Sequence, residues 1–141
     1  MKIDAHHHLW HYSPEEYEWI DDRMQALRRD FVPADLEHEL ELAQVKTTVV
    51  VQARQTLEET SWLLELAATS KFIQGVGGWA RIAAKDFPEI LDDLRQNPKL
   101  RGWRHVVQGE ADGFLDGAEF NRGIAAMPDT GLVNDLPIFS R

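Results

Sequence analysis

The chain has 141 residues, a formal net charge of −9 and no cysteine. That length leaves room for one domain with a genuine core, and the acidic balance disfavours nucleic acid or an anionic membrane surface as partner. Without thiols there is no disulfide framework, thiolate metal site or cysteine nucleophile, and with no export signal or membrane-length apolar stretch a soluble cytoplasmic protein is expected.

The first strand-like segment runs from Lys2 to Leu9 and ends in Asp4-Ala5-His6-His7-His8-Leu9-Trp10. Strand side chains alternate with period two, so His6 and His8 point the same way, about 7 Å apart, and can converge on one metal ion or one substrate oxygen. The same alternation puts Asp4 on their face and Ile3, Ala5, His7 and Leu9 on the other. Three adjacent histidines also fit a tag remnant or hydrogen-bonded core positions. Their place at the end of a first strand favours a site.

His11 to Phe31 reads as the longest irregular insertion, rich in aromatic and charged residues such as Tyr12, Tyr17, Trp19, Asp22 and Arg28. Directly after a first strand, it is a candidate lid. Pro33 suits the first turn of a helix carrying Leu36, Leu40 and Ala43. Thr47 to Ala53 is a β-branched strand. Thr56-Leu57-Glu58-Glu59 has the capping-box pattern and opens a helix through Trp62, Leu63, Leu66 and Ala67. Phe72 to Trp79 is the third strand. Phe87, Ile90, Leu91 and Leu94 mark one helix face, and Leu100 to Val107 the fourth strand. A short helix is expected around Ala118 to Ala126, then a fifth strand from Gly131 to Phe139. Strands apolar on both faces and alternating with helices make a parallel sheet covered by helices.

Polar residues gather where these strands end. Gln52 and Arg54 close the second, Trp79 and Arg81 follow the third, Arg104 and His105 lie in the fourth, and Asp135 in the fifth. A doubly buried strand should not carry unpaired charge, so this recurrence points to a shared site at the C-terminal ends of the strands. The set holds imidazoles, guanidinium groups and a carboxamide, with no Ser nucleophile elbow and no phosphate loop. Gly75-Val76-Gly77-Gly78 is too loose for a dinucleotide fingerprint. Imidazoles with arginines suit polarising a carbonyl and holding a hydroxylated or anionic substrate, or, with a metal, activating water. Both point to hydrolysis of an ester or amide-like bond.

These residues also carry a resemblance. Ile3 to Trp10, Glu16-Tyr17-Glu18-Trp19-Ile20, Arg29-Asp30-Phe31-Val32-Pro33, Val51-Gln52-Ala53-Arg54-Gln55, Gly78-Trp79, Leu100 to His105 and Gly131 to Leu136 together resemble the amidohydrolase-2 family, in its sugar-lactone hydrolase branch. The resemblance implies a (β/α)₈ TIM barrel of which residues 1–141 form the N-terminal part, about the first five strands with their helices. It implies water opening a sugar lactone or related cyclic ester, with one divalent metal such as Zn in some members. His6 and His8 match its metal-binding or carbonyl-facing pair. Arg104 and His105 match its fourth-strand catalytic motif, and Gln52, with Arg54 and Trp79, falls among its substrate-contacting positions. A later-strand histidine and a last-strand aspartate acting as base have no counterpart here, Asn134 stands where the family usually has tyrosine, and Pro137 interrupts the fifth apolar run.

Two functional expectations follow. One is a lactone hydrolase whose 141-residue chain is impaired. The other is a non-catalytic fragment that self-associates through open barrel edges or needs a partner to complete the barrel. A small self-contained metal-binding module is a third and weaker alternative, opposed by the uncovered last strand.

Overall fold

A computed structural model describes residues 2–137. Five strands, β1 (Ile3–His7), β2 (Thr47–Val51), β3 (Ile73–Gly78), β4 (Leu100–Arg104) and β5 (Val133–Asp135), lie side by side in chain order. Every pairing is parallel. Helices α1 (Pro33–Ala43), α2 (Leu57–Thr69), α3 (Phe87–Leu94) and α4 (Ala118–Ala125) occupy the four connections. Successive parallel neighbours joined by helices are the unit from which a (β/α)₈ barrel is built, and five of them make an incomplete one.

The core lies between the sheet and its helices. Val50, Ile73, Val76, Leu100 and Trp103 from the strands pack with Leu63, Leu64 and Ala67 of α2, Phe87 and Leu91 of α3, and Phe120 of α4. The opposite, concave face carries Ala5, His6, Val49, Val51, Gly77 and Arg104 around an open hollow. Ile3 and Val133, at its two edges, are 53% and 66% exposed. In α1 only Leu40 is buried, so Leu36 and Ala43 contribute less than their spacing implies.

Register decides which side chains reach the concave face. Asp4 pairs with Thr48 and His7 with Val50, so three steps on β1 meet two on β2. Thr48 and Val50 are fully buried on the helix side. Asp4 and His7 therefore face that way, whereas Ala5 and His6 both line the hollow. This corrects the strict alternation, which grouped Asp4 with His6 and His8 and put Ala5 on the other face. A single extra residue re-aims everything that follows it. The same device recurs in β4, where Leu100 opposes Val76 and Trp103 opposes Gly78. The extra residue is Arg101, and Gly102 beyond it lets β5 approach, since a Cβ there would stand 2.3 Å from the Val133 carbonyl oxygen. Trp103 is thereby turned into the core against Phe87, and Arg104 onto the concave side.

The strands are shorter than expected, β2 and β4 at their C-terminal ends and the others at both. β1 stops at His7 rather than Leu9, β4 at Arg104 rather than Val107, and β5 has only three residues. Ile138 and Phe139, which the apolar run assigned to β5, lie outside the described residues. The expected lid is a packed excursion. Trp10 and Phe31 bond to each other through both amides at 2.9 Å, closing the segment at its base. Trp10, Tyr17 and Ile20 form a second small core with Tyr12, Phe31 and Ala53 against them.

Candidate active site

His6 and His8 stand at the C-terminal end of β1 with ring centroids 5.0 Å apart and planes at 81°. Nδ1 of His8 lies 2.8 Å from the Val51 carbonyl oxygen of β2. A carbonyl can only accept, so Nδ1 carries the proton and donates it, which leaves Nε2 with a free lone pair. Burial pushes the His8 pKa down, and nearby His6 and Arg104 act in the same direction while the bond to Val51 opposes them. Burial thus favours the neutral ring, and the Val51 carbonyl favours the tautomer with the proton on Nδ1.

A cleft of about 560 Å³ opens beside it, lined by His8, Glu16, Trp19, Ala53, Arg54, Gln55, Thr56, Arg104 and Val106. Four elements meet there: the ends of β1, β2 and β4, and the excursion that supplies Glu16 and Trp19. Gln52 is fully buried beneath. Its Nε2 donates to the Arg104 carbonyl oxygen at 3.1 Å, and the Arg104 guanidinium donates back to the Gln52 carbonyl oxygen at 3.2 Å. This reciprocal clamp joins the ends of β2 and β4 across β3. Gln52 Oε1 and Arg104 Nε, both buried, have no hydrogen-bond partner. Asp135 of β5 approaches Arg104 Nε at 3.8 Å.

Arg54 is held between two carboxylates. Glu16, from the excursion, bonds its guanidinium directly, and Glu59, from the first turn of α2, sits 3.6 Å from Nε. Glu59 is fully buried, and its Oε2 accepts from the backbone amides of Ala53 at 3.0 Å and Arg54 at 2.7 Å. Only half of the expected capping box forms: Thr56 Oγ1 accepts from the Glu59 amide at 3.1 Å, while the Glu59 carboxylate turns to the β2 terminus instead. Burial pushes the Glu59 pKa up, opposed by those amides and by Arg54.

Trp79 and His105 stand apart from this cleft. Trp79 Nε1 donates to His105 Nδ1 at 3.2 Å, and His105 Nε2 lies 2.6 Å from Glu110 Oε1. With Trp79 on one side and Phe114 stacked at 5.0 Å on the other, His105 is buried and both its nitrogens are engaged. Of the residues singled out in the sequence, the fold therefore brings His8, Arg54 and Arg104 together around the cleft, with Gln52 beneath and His6 beside it on the hollow. Glu59 and Glu16 were not singled out for the site. The carboxylate of Glu59 reads as a cap in sequence, and nothing local shows that Glu16 reaches a residue 38 positions away.

Among the described residues no cluster of three or more His, Cys, Asp or Glu side chains is placed to hold a metal. His6 and His8 offer two nitrogen donors, one short of the three protein ligands usual in a catalytic zinc site. The bond from His8 Nδ1 to Val51 is the kind of outer contact that orients a metal-binding imidazole.

The barrel half, with its histidine pair and arginines at the C-terminal ends of the strands, defines a class, and sequence comparison agrees: the pattern of the amidohydrolase family matches residues 3–138, and the chain belongs to that family. Its relatives include an L-fucono-1,5-lactonase of Burkholderia multivorans, 38% identical over 143 residues covering 100% of this chain and 48% of the relative. One of the same name from Burkholderia ambifaria is 37% identical, covering 96% and 46%. A crystal structure of an amidohydrolase from Burkholderia multivorans with bound zinc superposes with a TM-score of 0.93, at 38% identity, over 99% of this chain and 49% of that one. A crystal structure from Acinetobacter baumannii described as a probable 2-pyrone-4,6-dicarboxylic acid hydrolase, at 14% identity and a TM-score of 0.70, shares the fold. The chain spans about half the length of the relatives it matches.

Proposed function

We propose that this chain carries the first half of a lactone hydrolase site, in which water attacks the carbonyl of a sugar lactone or related cyclic ester. The observation that carries the reading is the convergence of His6, His8, Arg54 and Arg104 at the C-terminal ends of β1, β2 and β4, in a chain 38% and 37% identical to two proteins named L-fucono-1,5-lactonase.

The tautomer of His8 narrows its role. With the proton on Nδ1, Nε2 cannot donate a hydrogen bond to the lactone carbonyl. It can ligate a cation or accept a proton from the attacking water. In the second case the water oxygen forms its bond to the carbonyl carbon as its proton passes to Nε2, and the ring C–O bond then breaks as the leaving oxygen recovers a proton. His6 and His8 would hold a divalent cation together with donors from outside the described residues. Such a cation supplies polarisation of the carbonyl and acidifies water. Arg104 and Arg54, which both line the cleft, orient substrate oxygens, and Trp19 offers an apolar wall to the sugar ring.

The test is lactone opening by the purified chain, followed by acid release from L-fucono-1,5-lactone with and without added Zn²⁺. Turnover above the spontaneous rate, lost in His8→Ala, is expected. Background turnover in both proteins overturns the reading. A second reading rests on the exposed apolar residues at the sheet margins, Ile3 on β1 and Val133 on β5: the open edges pair with a second copy of this chain.

A further inference from the structure

Arg54 has one carboxylate that cannot leave and one that can. Glu59 is fully buried and holds two backbone amides, so its place beside Nε is fixed. The Tyr17 ring, itself buried, lies 5.7 Å from the Arg54 guanidinium carbon and limits it on another side. Glu16 differs. Its side chain is 50% exposed against 21% for Arg54, and it reaches the guanidinium from the excursion rather than from the barrel. Its second oxygen has only the Ser13 hydroxyl, at 3.5 Å. Half of the Glu16 side chain is already in water, so solvation offsets much of the lost contact when its carboxylate turns out, and an incoming carboxylate replaces it on the mostly buried guanidinium of Arg54. Turning Glu16 out to solvent bares a guanidinium fork on the cleft wall.

A planar guanidinium matches a carboxylate in two parallel hydrogen bonds. Ring opening of a lactone turns a neutral ester into a hydroxycarboxylate, so in this cleft substrate and product differ by a group that Arg54 recognises. We propose that Glu16 is a stand-in for the product carboxylate: the released hydroxycarboxylate displaces Glu16 from Arg54, whereas the neutral lactone leaves the Glu16–Arg54 pair in place. Glu16 is then a positioning residue that sets selectivity between neutral and anionic ligands. It weakens product binding by competing for the same fork. The inference rests on the lactone-hydrolase reading for the identity of the acid, and on the geometry alone for the exchange.

The experiment is calorimetric titration with L-fuconate, the acid formed when that lactone opens, at fixed ionic strength, with the neutral polyol L-fucitol as control. Glu16→Gln removes the competing charge and is expected to tighten L-fuconate binding by about threefold to fivefold, the scale of an exposed ion pair, while leaving L-fucitol unchanged. Glu16→Asp, which keeps the charge but shortens its reach, is expected to shift binding in the same direction. Arg54→Lys, which loses the fork, is expected to weaken it. Unchanged or weaker L-fuconate binding in both Glu16 variants overturns the proposal, as does equal tightening for L-fucitol. Absence of L-fuconate binding in every protein overturns it as well. If the exchange is found while lactone opening stays at background, the hydrolase reading falls and this one stands. The reverse result removes this inference alone.

Discussion

The Val51 carbonyl fixes the proton of His8 on Nδ1, and this one bond determines which atom His8 presents to the cleft. If that atom is a ligand, the purified chain should bind Zn²⁺ in a calorimeter, and the double substitution His6→Ala with His8→Ala should abolish the heat. Undiminished binding would remove both histidines from the metal. Glu59 gives a second measurable consequence. Its folded pKa is raised above the ordinary value of 4.5, chiefly by burial. The folded state therefore keeps that proton to higher pH than the unfolded chain does. The resulting stabilisation is fully present below about pH 4.5 and is lost as pH rises through the folded value. Glu59→Gln cannot titrate, so its urea midpoint should lack this component of the decline above about pH 4.5, and identical slopes in the two proteins would assign the titration to another group. His6, His8, Arg54 and Arg104 were legible in the sequence because histidines and arginines at strand ends are anomalous in an apolar run. Glu16 and Glu59 were not, because one reads as loop surface and the other as a helix cap. Trp79 and His105 stood out for the same reason as the arginines, yet the fold pairs them with each other and with Glu110.

At the scale of single elements, the N-terminus of α2 and the packing of α4 give contrasting cases. Thr56→Ala removes the hydroxyl that accepts from the Glu59 amide and should cost about 1 kcal/mol, the usual worth of such a cap. It also frees the turn that presents Arg54, so chemical denaturation should report the loss even if the cleft stays formed. Gly123 of α4 lies so close to the chain that a Cβ would stand 1.9 Å from the Ile82 carbonyl oxygen. That obstacle is backbone rather than a flexible side-chain tip, so Gly123→Ala must shift the helix. A loss of about 1–3 kcal/mol, larger than that of Thr56→Ala, is expected in the same titration. A smaller loss would mean that α4 moves on the core at little cost. Element identity was plain from periodicity: Phe87, Ile90 and Leu91 mark α3 and the Val-rich run marks β2. Element register was not. The extra residues in β1 and β4 leave no sign in the hydrophobic pattern. Only the backbone pairing of Asp4 with Thr48 and of His7 with Val50 shows that His6 faces the hollow while Asp4 does not.

At the scale of the whole molecule, the sheet order β1-β2-β3-β4-β5 leaves, among the described residues, a free edge at each end and an open concave face. The βα rhythm made this half-barrel legible, because strands apolar on both faces require a covering layer on each side. Among the described residues that covering is present on the helix side alone. The hollow is bounded by Ala5, Val49, Val51 and Val133, with Arg101, Arg104 and Asp135 as its charged margin. An uncovered apolar sheet face and two unpaired edges favour association. The 141-residue chain should therefore sediment as a dimer or larger at tens of micromolar and dissociate on dilution. Ile3→Lys and Val133→Lys place a charge on each edge strand at positions already more than half exposed, so neither empties the core. Each should lower the sedimentation coefficient at fixed concentration with an unchanged far-ultraviolet circular dichroism spectrum, and the two together should yield the monomer. A chain that is monomeric without these substitutions, at every accessible concentration, would show that the exposed edges are tolerated as they stand. Self-association insensitive to both lysines would place the contact on another surface, such as the α1 face where Leu42 is 68% exposed.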